Sequence, residues 1–361
     1  MSKRITCQFV GTGSFVPERC IRNAEFLHRT FFLPQGDALD PADNARLVAK
    51  FLEITGIAER RWAPDGLAAS DLGAEASRAA LSDADIDPET LDYVIVAHNF
   101  GDVCPRTGQI DTVPTLAARI KQKLGIRNSA CIAYDLPFGC PGWVQAVIQA
   151  DGFLRAGQGR RALVVGTETL SRVIDPHDRD SMLYADGAGA VVLEAVETDA
   201  SVGILGHRTR SDAVDHARLL RMAPSYHPDA PTDRLYLKMD GRKVYEYAVQ
   251  TVPGVVSDVL QRAGLTLHDV NMLLAHQANV KMNQAILKRL LRKAGIACAP
   301  SGMMPMTISW LGNSSVATVP TLFDLVRHGR LEGYAIGSGD VLVFASVGAG
   351  MNVNAMVYRC P

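Results

Sequence analysis

Two stretches of this sequence repeat one another's design, and that repetition limits the folds open to the chain. SRAALSDADIDPETLDYVIVAHN ends a helical pattern, crosses an acidic turn, passes through an apolar strand and stops at His98-Asn99. VSDVLQRAGLTLHDVNMLLAHQAN does the same and stops at His276-Gln277. The run from Leu81 to His98 and the run from Leu260 to His276 differ in length by a single residue. A second pair follows in the same order. ALVVG leads to DGAGAVVLEA in the first case, and VLVFASVGAGMNVNAMVY is the second. Each is a strand, a Gly-Ala-Gly turn and another strand. One echo is the ordinary likeness of any two helix–strand units. Two in the same order predict a duplicated unit, with one half over residues 1–200 and the other over 201–361.

Between the echoes, apolar runs of strand length alternate with helical patterns, which predicts α/β layers. At 361 residues and 47% apolar, the chain can bury a large core. A net charge of -1 gives no electrostatic footprint for nucleic acid. The apolar runs are far shorter than a bilayer span, and MSKRITCQFV lacks the apolar stretch of a signal peptide. The seven cysteines are an odd number with no CxxC and no zinc-like spacing. Free thiols, a cytoplasmic setting and no metal are the expectation.

DLPFGCPGW, residues 135–143, holds Cys140 among Pro137, Gly139, Pro141 and Gly142. CIAY before it reads as a strand. WVQAVIQADGFL after it reads as a helix apolar on nearly every face, and so buried. A buried structural cysteine is one reading of Cys140. The other is a nucleophile on a sharp strand-to-helix turn, its thiol exposed and acidified by the helix N-terminus. His276 closes the apolar strand at AHQAN, where a histidine can simply be a satisfied core residue. Asn313, in WLGNSSVATVPTLFDLV, can be a turn or capping residue before the next helix. Taken together, cysteine, histidine and asparagine fit carbon–carbon bond chemistry on a thioester better than hydrolysis.

Seven ordered stretches carry a resemblance that runs almost end to end. They are GTGSFVP, TGIAER, GCPGW, DPHDRDSMLYADGAGA, MDGRKVYEYAV, AHQAN and LGNSS. On these the chain resembles the β-ketoacyl-acyl-carrier-protein synthase III group of the thiolase-like superfamily. The resemblance implies a thiolase-like αβαβα layered fold, a homodimer, and decarboxylative Claisen condensation of an acyl thioester with a malonyl thioester. It implies Cys140 as the acyl-accepting nucleophile and His276 with Asn313 as the decarboxylation pair. The backbone N–H groups of Cys140 and Ala349 would form the oxyanion hole. Arg179 would contact coenzyme A, and Lys281, Lys288 and Arg289 would dock the acidic carrier protein. The partners would be acyl carrier protein or coenzyme A thioesters, with no cofactor. The chain departs from the family where Lys50 and Ile54 stand at the adenine-clamping positions, and where Glu246 replaces a docking lysine. NFGDVCPRTGQIDTVP, residues 99–114, is longer than the segment that lines the acyl pocket across the family's dimer interface.

Weaker signals read more plainly. GTGSF lacks the third glycine of a dinucleotide fingerprint and reads as a tight turn. ILKRLLRKAG reads as a basic amphipathic helix, either a solvated face or a carrier-docking surface. His98, Asp102 and Cys104 read as loop residues rather than metal ligands. Two rivals to the main reading remain. One is an acyltransferase or ketosynthase joining unusual acyl chains, as in dialkylresorcinol-type pathways. The other is a non-condensing, acyl-binding partner subunit, against which the retained Cys140 argues.

Overall fold

A strand that is apolar on both faces has to be covered on both. YVIVAH and VLVFASV are such strands, and the computed structural model, which describes residues 4–361, supplies the cover as layers of helix. Tyr93–His98 sends Ile95 and Ala97 to one side of its sheet and Val94 and Val96 to the other, as the two-residue period of a strand requires. Val341–Gly348 divides in the same way, with Leu342 and Phe344 on one side and Val343 and Ala345 on the other.

Two sheets result. The first runs, edge to edge, through Arg4–Phe15, Asp186–Thr198, Arg161–Thr169, Tyr93–His98 and Ile132–Pro137. The second runs through Gly203–Ser211, Asn352–Arg359, Val341–Gly348 and Met272–Ala275. Tyr93–His98 lies parallel to Arg161–Thr169, and Met272–Ala275 lies parallel to Val341–Gly348. In each sheet the remaining pairings of that series are antiparallel. His98 and His276 therefore occupy matching places, each at the tip of a parallel strand. The first sheet has one further edge strand, Ile132–Pro137, and its end leads into the Cys140 turn.

The helices Ala69–Ala84 and Leu116–Leu124 cover the outer face of the first sheet. Gly241–Arg262 and Val280–Lys293 cover the outer face of the second. Between the sheets lie Gly142–Arg155 and Thr318–Arg327, giving the five-layer αβαβα order. Both middle helices need apolar side chains all round, and Thr318–Arg327 is buried from Thr318 to Val326. Their core is aromatic. Phe9 sits 4.7 Å from Tyr358 and 5.2 Å from Phe323, centroid to centroid, with Trp143 and Phe344 alongside. Burying a Phe side chain is worth about 1.5–3 kcal/mol, so this layer is a stiff base for whatever its helix ends carry.

One sequence expectation is corrected here. GTGSF is not a turn but the end of the Arg4–Phe15 strand. A side chain at Gly11 would lie 2.2 Å from the Ala80 carbonyl of the covering helix, so the glycine serves close strand–helix packing.

Candidate active site

Gly142 N donates to Gly139 O over 2.7 Å, closing a tight turn between the strand Ile132–Pro137 and the helix Gly142–Arg155. Cys140 stands inside that turn. The turn after Val341–Gly348, from the other sheet, meets it backbone to backbone. A Cβ on Gly348 would come within 2.6 Å of Cys140 N, and one on Gly139 within 2.6 Å of Ala349 N. Glycine on both sides is what permits this approach.

Cys140 Sγ accepts a hydrogen bond from Ser315 Oγ at 3.3 Å. Burial pushes its thiol up to about 11, against the pull of the Ser315 bond, and the nearby Glu168 adds to the rise. The expectation of an exposed, acidified thiol is therefore corrected. Cys140 is half-buried rather than exposed, and the loss of water outweighs the Ser315 bond. Cys104 behaves in the opposite way. Hydrogen bonds from Thr107 and the Arg106 backbone bring its thiol down to about 7.

His276 tips its strand with its backbone N–H on Ala345 O at 2.8 Å. Its ring Nδ1 is buried and has no hydrogen-bond partner among the described residues. Burial holds the imidazole down at about 4, so it is neutral at physiological pH. The matching His98 is spoken for on both nitrogens. Nε2 bonds Asp135 at 2.9 Å, and Nδ1 accepts from Gly101 N at 2.9 Å. Of two histidines in equivalent places, one is a satisfied core residue and the other is not.

Asn313 follows a tight turn at Gly312. Its backbone N–H donates to Leu183 O at 3.0 Å, and its Oδ1 accepts from Ser315 N at 2.9 Å. Of the two plain roles read from the sequence, the turn is the one observed, with Ser314 standing at the cap, and it uses only the oxygen end. Through Ser315, Asn313 and Cys140 are linked by two hydrogen bonds although they come from opposite halves of the sequence.

Beside Leu183 opens a cavity of about 980 Å³, walled by Arg179, Lys50, Ile54, Glu246 and Tyr245 among others. Arg179 and the three departures from the family pattern therefore share one wall. Most of its charge is internally matched. Arg46 pairs with Asp43 at 3.1 Å, Lys50 with Glu53 at 2.9 Å and Arg242 with Glu246 at 2.9 Å. Arg179 alone of the four lining cations has no ion pair among the described residues. Lys281, Lys288 and Arg289 all lie on the helix Val280–Lys293. Lys281 bonds Glu53 at 2.8 Å, and Arg289 donates to Val249 O at 3.2 Å. Lys288 is exposed.

The inserted segment forms a small hairpin, Asp102–Val103 against Ile110–Asp111. Asp102 is taken up by Ser70 and Arg119, and His98 by Asp135, which supports reading them as structural rather than metal-binding.

Sequence reasoning missed Ser315, Asn99 and Glu168. Asn99 N donates to Glu168 Oε1 at 2.7 Å, and Asn99 Nδ2 donates both to Glu168 and, at 3.0 Å, to Ser315 Oγ. A single acid inside the apolar strand RALVVGTET was the available signal.

Comparison with known proteins gives consistent likenesses. The family model described as 3-oxoacyl-[acyl-carrier-protein (ACP)] synthase III matches residues 134–213, and its C-terminal counterpart matches residues 260–360. A β-ketoacyl-[acyl-carrier-protein] synthase III of Erythrobacter litoralis is 35% identical over 97% of this chain and 98% of its own. A solved synthase III of Thermus thermophilus is 31% identical with a TM-score of 0.80, covering 98% of this chain and 99% of that one. The priming β-ketosynthase of the R1128 polyketide pathway is 28% identical with a TM-score of 0.78, covering 100% of this chain and 98% of that one.

Proposed function

The chain belongs to the 3-oxoacyl-[acyl-carrier-protein] synthase III family of condensing enzymes, and from that premise we propose how its residues divide the reaction. Cys140 takes the acyl group. Its S–H bond breaks as a C–S bond forms to the acyl carbon, and the proton passes to the departing donor sulfur. The oxyanion of that step rests on the N–H groups of Cys140 and Ala349, from the two turns that meet at Gly348. The donor's own C–S bond then breaks, and its sulfur leaves with the proton as a free thiol. Malonyl thioester enters next. His276 and Asn313 Nδ2 donate to its thioester oxygen while the carboxylate leaves as carbon dioxide. The resulting enolate carbon attacks the acyl carbon, Cys140 is expelled as thiolate, and it takes a proton from solvent. The product is a β-ketoacyl thioester.

One observation carries this reading: the Ser315 bridge, which joins the thiol of the first half to the Asn313 turn of the second. It is tested by exposing the protein to acyl thioesters and weighing the Cys140 peptide. Acyl mass on Cys140, followed by β-ketoacyl product once malonyl-carrier protein is added, is the expected result. Acyl mass without product points to the acyltransferase rival, and no acyl mass to the non-condensing subunit.

The finer assignments rest on separate observations. Arg179 faces the mouth through which a phosphopantetheine arm, on carrier protein or coenzyme A, would reach the site. Lys281, Lys288 and Arg289 offer one basic helix to an acidic carrier, with Lys288 the exposed contact. A homodimer is supported by the edge strand Ile132–Pro137, where Ile132 is 53% exposed, and by Val113, 84% exposed on the neighbouring insertion. The matched order of the two sheets supports halves at 1–200 and 201–361. Seven cysteines, all unpaired, favour the cytoplasm.

A further inference from the structure

Ser315 has a backbone conformation that few residues with a side chain adopt, with φ at +53°. It is held there by the Asn313 Oδ1 bond to its N–H. The consequence is where the hydroxyl goes. Its oxygen accepts from Asn99 Nδ2 at 3.0 Å, and its proton is directed at Cys140 Sγ, 3.3 Å away. A free hydroxyl rotates, but this one already accepts from the Asn99 amide, and Cys140 Sγ is the acceptor within reach of its hydrogen. Asn99 is fixed in turn. Glu168 takes both its backbone and its side-chain N–H, so the amide cannot flip to offer oxygen to Ser315. Glu168 is itself buried at 1% exposure and has no ion pair among the described residues. An unpaired carboxyl is a costly thing to keep in a core unless it holds something in place.

We propose that Ser315 is a catalytic hydrogen-bond donor to the Cys140 sulfur, and that Asn99 and Glu168 are positioning residues that aim it. The proposal rests on the reading of Cys140 as nucleophile. The donor matters twice in that cycle: when the thiol gives up its proton to attack, and when the carbanion expels the cysteine as thiolate. In both, negative charge grows on sulfur in a half-buried site. In the acyl-enzyme between them the sulfur is a thioester and accepts weakly, so the bond favours the two transition states over the intermediate. Burial sets the resting thiol high, and this bond opposes it.

The test measures acylation of Cys140 by an acyl thioester, and its alkylation by iodoacetamide, across pH in the full-length protein. The Cys104 peptide, labelled in the same sample, is the internal control. Ser315→Ala should slow both reactions of Cys140 by about tenfold to a hundredfold at fixed pH and move the alkylation profile upward by about one to two pH units. Cys104 should be unaffected. Ser315→Gly, suited to the positive φ, should do the same, so poor folding of one variant does not decide the matter. Glu168→Gln keeps an oxygen for Asn99 and, with the carboxyl's charge gone, should alkylate at least as fast as the parent, whereas Glu168→Ala should resemble Ser315→Ala. Parent-like rates and pH profile in folded Ser315→Ala and Ser315→Gly would overturn the donor role. Faster alkylation in both Glu168 variants would overturn the positioning role, because Glu168 would then act through its charge. If the parent itself never acylates at Cys140, the nucleophile reading fails, and that result is distinct from either of the others.

Discussion

On the proposed division of the reaction, Asn313 does two jobs with two atoms, and one substitution separates them. Asn313→Asp keeps an oxygen where Oδ1 braces Ser315 N at 2.9 Å, and exchanges only the Nδ2 donor. Asn313→Ala removes both. Losing one preorganised donor at a developing oxyanion costs about 2.7–4 kcal/mol, or about 10²–10³ in rate. Leaving the buried Ser315 N–H unpaired costs a further ~1–3 kcal/mol of stability. Both variants should therefore lose malonyl decarboxylation by about 10²–10³. Only Asn313→Ala should also melt earlier and load acyl groups on Cys140 more slowly, because Ser315 has lost its brace. Asn313→Asp should in addition recover part of its decarboxylation as pH falls, since a protonated carboxyl again has a proton to donate. Carbon dioxide release from a malonyl thioester, single-turnover loading followed by mass spectrometry, and thermal melts read these separately. A folded Asn313→Asp protein that decarboxylates at the parent's rate under alkaline conditions would refute the assignment of Nδ2.

Three other outcomes are expected. With iodoacetamide near pH 8, Cys104 should label before Cys140, because its thiolate predominates above about 7 while Cys140 stays protonated until about 11; peptide mapping with Cys140 labelled first would contradict the burial argument. His276 has its pKa depressed from 6.5 to about 4, so the unfolded chain binds that proton first as pH falls. Stability should be unaffected by His276 above about 6.5 and decline by on the order of 3 kcal/mol between there and about 4, and His276→Gln should flatten that decline in denaturant titrations at stepped pH. Lys288→Glu should raise KM for malonyl-carrier protein but not for a small malonyl thioester, and added salt should mimic it in the parent. Equal effects on both substrates would make the helix purely structural.

The layers were legible because patterning encodes them. A strand apolar on both faces demands two covers, and paired echoes demanded two such sheets. The Cys140 turn was legible for the same local reason, since glycine and proline spacing fixes backbone shape. What the sequence could not show was depth. Whether Cys140 is acidified or made reluctant depends on what surrounds the sulfur, and the bond that opposes its burial comes from Ser315, 175 positions away. His98 and His276 look alike as strand-end histidines, and it is Asp135 and the Gly101 N–H, taking up both ring nitrogens of His98, that distinguish them. GTGSF misled because glycine marks both turns and close packing. Ser315, Asn99 and Glu168 come from three separate stretches, so no spacing rule joins them.

The charge matching at the mouth has a consequence for how the enzyme parts with what it has used. Arg46, Lys50 and Arg242 are each neutralised by a carboxylate of the same chain, so only Arg179 is left to hold an anion by charge. On the proposed reading, a spent carrier arm or free coenzyme A would meet a doorway where Arg179 is the one lining cation without an ion pair among the described residues, and little charge would detain it there. Ionic strength should thus govern arrival, at the exposed Lys288 helix, far more than departure through the mouth. The two ends of a turnover become separable with nothing more than salt: capture slows as it rises, and release keeps its pace.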